Sequence, residues 1–192
     1  MTRDRILSAA RSVLESSGIE GLTIRGVALR AKLSPMALYR HFKDKEALLD
    51  ALMEDGIAAW EGIVRGIQAR DPLRWLVALG EAYLDFALTQ PHRFDAAFFL
   101  PAPAARRFPD DFAAGRSPAI VMVMAHIDQA KADGRLRARP TLQIALAAAA
   151  LGQGFVSMHR ANRFGSEKQF KALYRAAHRN FLESLQPSGE AE

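Results

Sequence analysis

Tyr39, Arg40 and His41 stand in a row behind Ser34-Pro35-Met36-Ala37, and Lys45 follows four positions after His41. A phenol, a guanidinium, an imidazole and an ammonium gathered this closely can donate hydrogen bonds to phosphate oxygens and to the acceptor edges of bases. The small residues ahead of them allow a backbone to come close to such a surface. The sequence offers little for catalysis. It has no cysteine, hence no thiolate nucleophile, disulfide framework or thiolate zinc site. Its five histidines show no metal-ligand spacing on one helix, and neither a carboxylate pair nor a Ser/His/Asp order has supporting context. No metal, cofactor or catalytic residue is expected.

Two short helices must position the cationic group. Thr23 precedes the apolar set Ile24, Val27, Ala28 and Ala31, where its hydroxyl can cap the free N–H groups of a first turn, so the spacing predicts a helix over about 24–31. Ser34 is a favoured cap, and Pro35 suits the first helical position because its missing N–H and fixed φ cost nothing there. A second helix is therefore expected to carry Met36 to Phe42. Leu38 and Phe42, four apart, can pack on the first helix while Pro35, Met36, Ala37, Tyr39, Arg40 and His41 face elsewhere. That layout is a helix-turn-helix, which lays its second helix in the DNA major groove.

Taken alone, such a segment reads more simply as a solvated surface helix, and charge separates the two readings. Residues 21–45 hold six basic side chains (Arg25, Arg30, Lys32, Arg40, Lys43, Lys45) against Asp44, a net of +5, and the whole chain is also +5. The rest of the chain balances. Such localisation suits phosphate binding, in which each neutralised phosphate releases condensed counterions.

These residues resemble the TetR-type one-component transcriptional regulators over roughly residues 5–50. The resemblance is carried by an apolar first helix (Ile6, Leu7, Ala10, Val13, Leu14) and the glycine-bounded turn Gly18-Ile19-Glu20-Gly21. It continues through Leu22-Thr23, Ala31-Lys32-Leu33-Ser34, Leu38-Tyr39-Arg40-His41-Phe42 and Lys45-Glu46-Ala47-Leu48. In that family the turn usually reads Ala-Gly-Val-Ser, so Lys32 and Leu33 depart from it. The resemblance implies that Tyr39 and His41 contact backbone or base edges, that Lys45 holds a phosphate, and that Thr23 and Ser34 add phosphate hydrogen bonds. Charge and facing add Arg25 and Arg40, and Pro35, Met36 and Ala37 would set sequence preference, partly through thymine methyl groups.

Beyond residue 46 the apolar spacing stays helical. Helices are expected over about 45–69, 72–89, a short stretch after Gln90-Pro91, 118–132, 140–163 and 166–185, with a loop from Pro101 to Pro118 and a frayed tail from Gln186. The expected fold is all-α, about nine helices: an N-terminal three-helix helix-turn-helix DNA-binding domain (1–46) and a C-terminal helical ligand-binding and dimerisation domain (47–192). The start, MTRDRILSAA, interrupts its apolar residues with charge too early for a secretory signal, and the longest apolar run, Ile144–Leu151, is short for a bilayer. A cytoplasmic protein without a membrane segment is expected.

Gly56, Gly62 and Gly66 in the fourth helix would either pack it closely or soften the link to the body. Phe86, Phe94, Phe98, Met122, Phe155 and Met158, with Tyr83, His126 and His159 as polar anchors, are candidates to line a pocket for a small apolar or amphipathic effector of unknown identity. The eighth expected helix is apolar around much of its circumference and the ninth adds an apolar stripe (Phe170, Leu173, Tyr174, Ala177, Phe181, Leu185), and two copies of the pair would close a four-helix bundle, the homodimer interface that the family resemblance implies. The resulting expectation is a homodimeric regulator, most simply a repressor, that binds a palindromic double-stranded DNA operator and is released by an effector. The alternative is a helical ligand-binding or sequestering protein whose basic N-terminus meets an acidic partner protein.

Overall fold

The computed structural model describes residues 2–187, and every regular element among them is a helix. In chain order these are α1 Thr2–Gly21, α2 Ile24–Arg30, α3 Pro35–Tyr39, α4 Lys45–Arg65, α5 Pro72–Thr89, α6 Pro91–Phe98, α7 Asp110–Ala113, α8 Pro118–Ala132, α9 Thr141–Arg160 and α10 Glu167–Leu185. There is one more than expected. Helix α7 is a single turn inside the segment read as a loop. Asp110 and Asp111 favour the positive end of its dipole, and Gly115 stops it at φ 71°. Gln186 caps α10, and the tail past residue 187 lies outside the described residues.

Three expected boundaries move inward for local reasons, among them the end of α9, which stops at Arg160 rather than near 163 because Asn162 turns left-handed (φ 53°). Helix α3 ends at Tyr39 rather than Phe42. The N–H groups of His41 and Phe42 both donate to the Leu38 carbonyl (2.9 and 3.1 Å), and the chain then leaves the helix so that Asp44 can cap α4. Helix α4 ends at Arg65 rather than near 69, closing with a tight bond from the Gly66 N–H to the Ile63 carbonyl at 3.0 Å. Within α1 the backbone breaks at Gly18 (φ 64°, ψ −171°), a conformation glycine adopts without a Cβ penalty, so the glycine-bounded turn is a kink in one helical run.

The chain divides into two compact units. One runs to Gly62 and returns with Thr89–Ala105, and the other holds Ile63–Leu88 and the chain from Arg106 onward. In the first unit, α1 packs on α2 and α6, and α2 packs on α3. Its core gathers Ile6, Ala10, Leu22, Val27, Leu38, Phe42, Leu48 and Leu52, each nearly or fully buried. Burying one such aliphatic side chain stabilises by about 1.5–3 kcal/mol, so this core holds the short α2 and α3, which are too brief to persist alone. Asp55 ties the unit across three helices, accepting from Arg11 at 2.7 Å and lying 3.7 Å from Arg93. Gly56 is where α4 and α6 meet most closely, because a Cβ there would stand 2.6 Å from the Arg93 carbonyl oxygen and 2.7 Å from the Ala97 nitrogen. Gly62, on the same helix, faces open space.

In the second unit α9 packs between α8 and α10. The Tyr174 hydroxyl donates to the Gly80 carbonyl at 2.9 Å, fixing α10 on α5. Arg175 forks onto both oxygens of Glu81 at 2.7–2.9 Å. Nearby, the His178 ring stacks on Tyr174 (4.0 Å between centroids), and added Cβ atoms at Gly80 and Gly152 would come within 3.4 and 3.5 Å of it. Burial lowers the pKa of His178, opposed by the Tyr174 carbonyl and Glu81, so the ring stays neutral to lower pH than a solvated one.

Candidate nucleic-acid interface

Helix α2 opens as its sequence dictates. Thr23 is extended (φ −120°, ψ 151°) and its Oγ1 accepts from the Gly26 N–H at 3.0 Å. The helix closes with the Lys32 N–H on the Leu29 carbonyl (3.0 Å) and the Leu33 N–H on the Ala28 carbonyl (2.9 Å), a paired C-terminal lock that demands a left-handed residue. Lys32 supplies it at φ 53°. The resemblance places glycine at this position, so the departure is a lysine held where glycine sits without strain. Ser34 then caps α3, accepting from the Ala37 N–H at 3.1 Å, with Pro35 in the first turn. Asp44 caps α4 through the Ala47 N–H at 2.7 Å.

These caps sort the side chains. Leu38 and Phe42 are buried, while Thr23, Arg25, Ser34, Pro35, Met36, Tyr39, Arg40, His41 and Lys45 are exposed and Ala37 is half-buried. All ten expected DNA-binding positions thus fall within one stretch of the first unit, Thr23 to Lys45. Both cap hydroxyls accept from the backbone, which leaves the proton of each free to donate outward. Among the described residues Arg25, Arg40 and Lys45 have no ion-pair partner, whereas Arg30 is tied back to Ser12 at 2.6 and 3.0 Å. Lys43 reaches only its neighbour Asp44, at 3.7 Å and largely in solvent. Cations without internal partners keep their charge available to an external anion.

Large apolar side chains are exposed on the same stretch: Leu29 at 80%, Met36 at 70% and Tyr39 at 49%. Exposed apolar groups among cations fit a surface that meets base methyls and sugars. Leu29 was missed from the sequence, although its place four residues after Arg25 puts it on the same face. Beside this stretch stands Arg3 of α1, whose Cζ lies 5.3 Å from the centre of the Phe42 ring. No spacing rule links these two residues, since the contact is made by folding.

The candidate effector residues divide between the units. Phe94 is fully buried in the first, against Phe98 (4.8 Å) and Phe99 (5.9 Å), and Phe98 meets Trp60 edge-on at 6.2 Å. The other seven belong to the second unit: Tyr83 and Phe86 on α5, Met122 and His126 on α8, Phe155, Met158 and His159 on α9. Phe86 is core, while Met158 is 48% exposed. His126 stacks on Trp75 at 3.9 Å and His159 on Phe170 at 4.1 Å. Burial raises the pKa of the Tyr83 phenol and lowers that of His126, so both are neutral near pH 7. No group of histidine and acidic side chains among the described residues is arranged to hold a metal.

The model for bacterial regulatory proteins of the tetR family matches residues 6–52, and that for the tetracyclin repressor-like C-terminal domain matches residues 76–181. The tetracycline repressor protein class C of Escherichia coli is 46% identical over 54 residues, 28% of this chain and 25% of that protein. The HTH-type transcriptional regulator UidR of Escherichia coli K12 is 34% identical over 74 residues, 36% of this chain and 38% of that one. The chain thus spans about a quarter to two-fifths of the length of these relatives. A solved structure of a protein with unknown function from Rhodococcus sp. RHA1 aligns over 97% of this chain and 96% of its own, with a TM-score of 0.79 and 27% identity.

Proposed function

Because this chain belongs to the TetR family of bacterial regulatory proteins, we propose that it is a sequence-specific DNA-binding transcriptional repressor, not an enzyme, released from its operator by a small molecule. One observation carries the reading: the whole net charge of the chain falls on a doubly capped helix-turn-helix, and its exposed Arg25, Arg40 and Lys45 have no ion-pair partner among the described residues. Tyr39, Arg40 and His41 face the major groove, Thr23, Ser34 and Lys45 hold phosphates, and Arg25, Pro35, Met36 and Ala37 meet base edges. Residues 1–46 carry these contacts and 47–192 the effector and dimer functions. That functional division differs from the packing division, which extends the first unit to Gly62.

The repressor acts as a cytoplasmic homodimer through α9 and α10, the eighth and ninth helices expected from the sequence. Helix α9 is 20 residues long and largely apolar, yet only Ile144, Ala145, Gly152 and Val156 of it are buried within the chain. A second copy of α9 and α10 covers it in a four-helix bundle and sets two α3 helices about one DNA turn apart, which requires a palindromic operator. The effector is small and apolar or amphipathic, and it binds among the second-unit aromatics near Tyr83, Met122 and His126. It releases DNA only if it binds the non-operator arrangement more tightly, by roughly 5.5 kcal/mol for full switching.

Selection of bound duplexes from a random-sequence pool at two salt concentrations tests the reading, alongside Tyr39→Ala and Lys45→Ala. An enriched palindrome, lost in both variants while the dimer persists, supports it. Salt-sensitive binding without any enriched sequence would replace it with a purely electrostatic surface, as in sequestering of an acidic partner.

A further inference from the structure

Helix α1 reads as a core helix, its apolar stripe of Ile6, Leu7, Ala10 and Val13 turned inward. Its first turn does something else. Arg3 is exposed, and its guanidinium carbon stands 5.3 Å from the centre of the Phe42 ring. Phe42 is itself only 3% exposed, and it joins two exposed members of the basic stretch, His41 and Lys43. A guanidinium over an aromatic face spends that face on the ring and leaves its N–H donors pointing outward in its own plane. An unattached surface arginine samples many rotamers, whereas this one is held at the rim of the helix-turn-helix by a core residue. Its neighbour Arg5 lies in the same turn, also exposed, without such a ring contact.

Resting on the DNA-binding reading above, we infer that Arg3 is a further phosphate-contacting residue of the interface, with Phe42 as its positioning residue. The contact joins α1 to a surface otherwise built from α2, α3 and the start of α4. It adds one phosphate contact per protomer that lies outside the net charge of residues 21–45.

The test measures anisotropy of a fluorescein-labelled duplex of mixed sequence, titrated with the full chain between ~50 and ~200 mM salt. In such titrations each phosphate contact contributes about 0.9 to the slope of log affinity against log salt, so Arg3→Ala lowers the slope of a dimer by about 2. Arg5→Ala, with the same change in net charge, is expected to leave it nearly unchanged. Arg3→Lys restores the slope because it restores the charge. Phe42→Leu lowers the slope as Arg3→Ala does, and its circular dichroism is compared with wild type. If that variant does not fold, the Arg3 and Arg5 pair still decides. Equal effects of Arg3→Ala and Arg5→Ala, or no effect of either, would overturn the assignment to Arg3 while leaving the DNA reading intact. A wild-type chain that shows no salt-dependent binding at all would overturn both.

Discussion

Lys32 shows what a single backbone angle decides. The lock that ends α2 needs a left-handed residue, and a side chain there costs about 1–2 kcal/mol that glycine avoids. Glycine loses part of that gain to the greater freedom of the unfolded chain, so Lys32→Gly is expected to raise the stability by about 1 kcal/mol. A higher urea midpoint at constant slope would show it. The same change removes an exposed cation beside the reading helix, so DNA binding by the stabilised variant should weaken. The lysine is then kept for its charge against its conformation. A stabilised variant with undiminished binding would show that its charge does nothing. Ser34 presents the opposite case, where conformation and side chain agree. Ser34→Ala removes the acceptor for the Ala37 N–H and should cost about 1 kcal/mol, read by the same unfolding titration.

Helix α4 carries two interior glycines with opposite expected responses. A Cβ at Gly56 meets backbone atoms of α6 that cannot move aside, so Gly56→Ala should destabilise by roughly 1–3 kcal/mol. Gly62→Ala meets nothing within 4 Å in an exposed helical position and should stabilise by up to about 1 kcal/mol. Thermal unfolding of the two variants checks the pair, and a gain at Gly56 would show that α4 and α6 are not in that contact. The sequence presents both residues identically, as glycine in a helical pattern. What it does reveal is what neighbours in the chain decide among themselves: Thr23 and Ser34-Pro35 open α2 and α3 where expected, and Asp71-Pro72 opens α5 with Asp71 accepting from the Arg74 N–H at 2.8 Å. What it conceals depends on partners distant along the chain. The close approach at Gly56, the seat of Arg3 on Phe42 and the wedge of His178 between two glycines are all of that kind. The inward shift of α3 to Tyr39 lies between these cases, since Asp44 is visible as a cap but its priority over the last turn is not.

Titration and assembly belong to the whole molecule. His178 and His126 are both held neutral by burial, below the value of about 6.5 they take in an unfolded chain. The unfolded state therefore binds more protons below pH 6.5, and stability, fully present above that value, is lost as pH falls through the folded pKa values. Urea midpoints measured from pH 7.5 down to pH 5 are expected to decline, and less steeply in His178→Asn. A flat profile in the wild type would mean that the rings are already solvated.

Assembly follows from what α9 leaves uncovered. Gln143, Ala147, Ala150, Gly154, Ser157 and Ala161 are all exposed and recur at alternating spacings of four and three, the period of one helix face laid against another. Small side chains on such a face gain little from water and allow a second helix to approach within about 8–10 Å. Leu173 of α10, 45% exposed, extends the apolar surface beyond α9. An arginine placed on this stripe would have no effect on a chain that works alone, because the position is already in solvent. Ala150→Arg is therefore expected to retain full helicity yet sediment as a monomer. Its affinity for a palindrome should fall by 10²-fold or more, since the second half-site no longer benefits from the effective concentration set by the first. Sedimentation of wild type and variant, followed by anisotropy on one duplex, separates the possibilities. A variant that remains dimeric would move the interface off α9, and a wild type that sediments as a monomer would leave the palindrome without its physical cause.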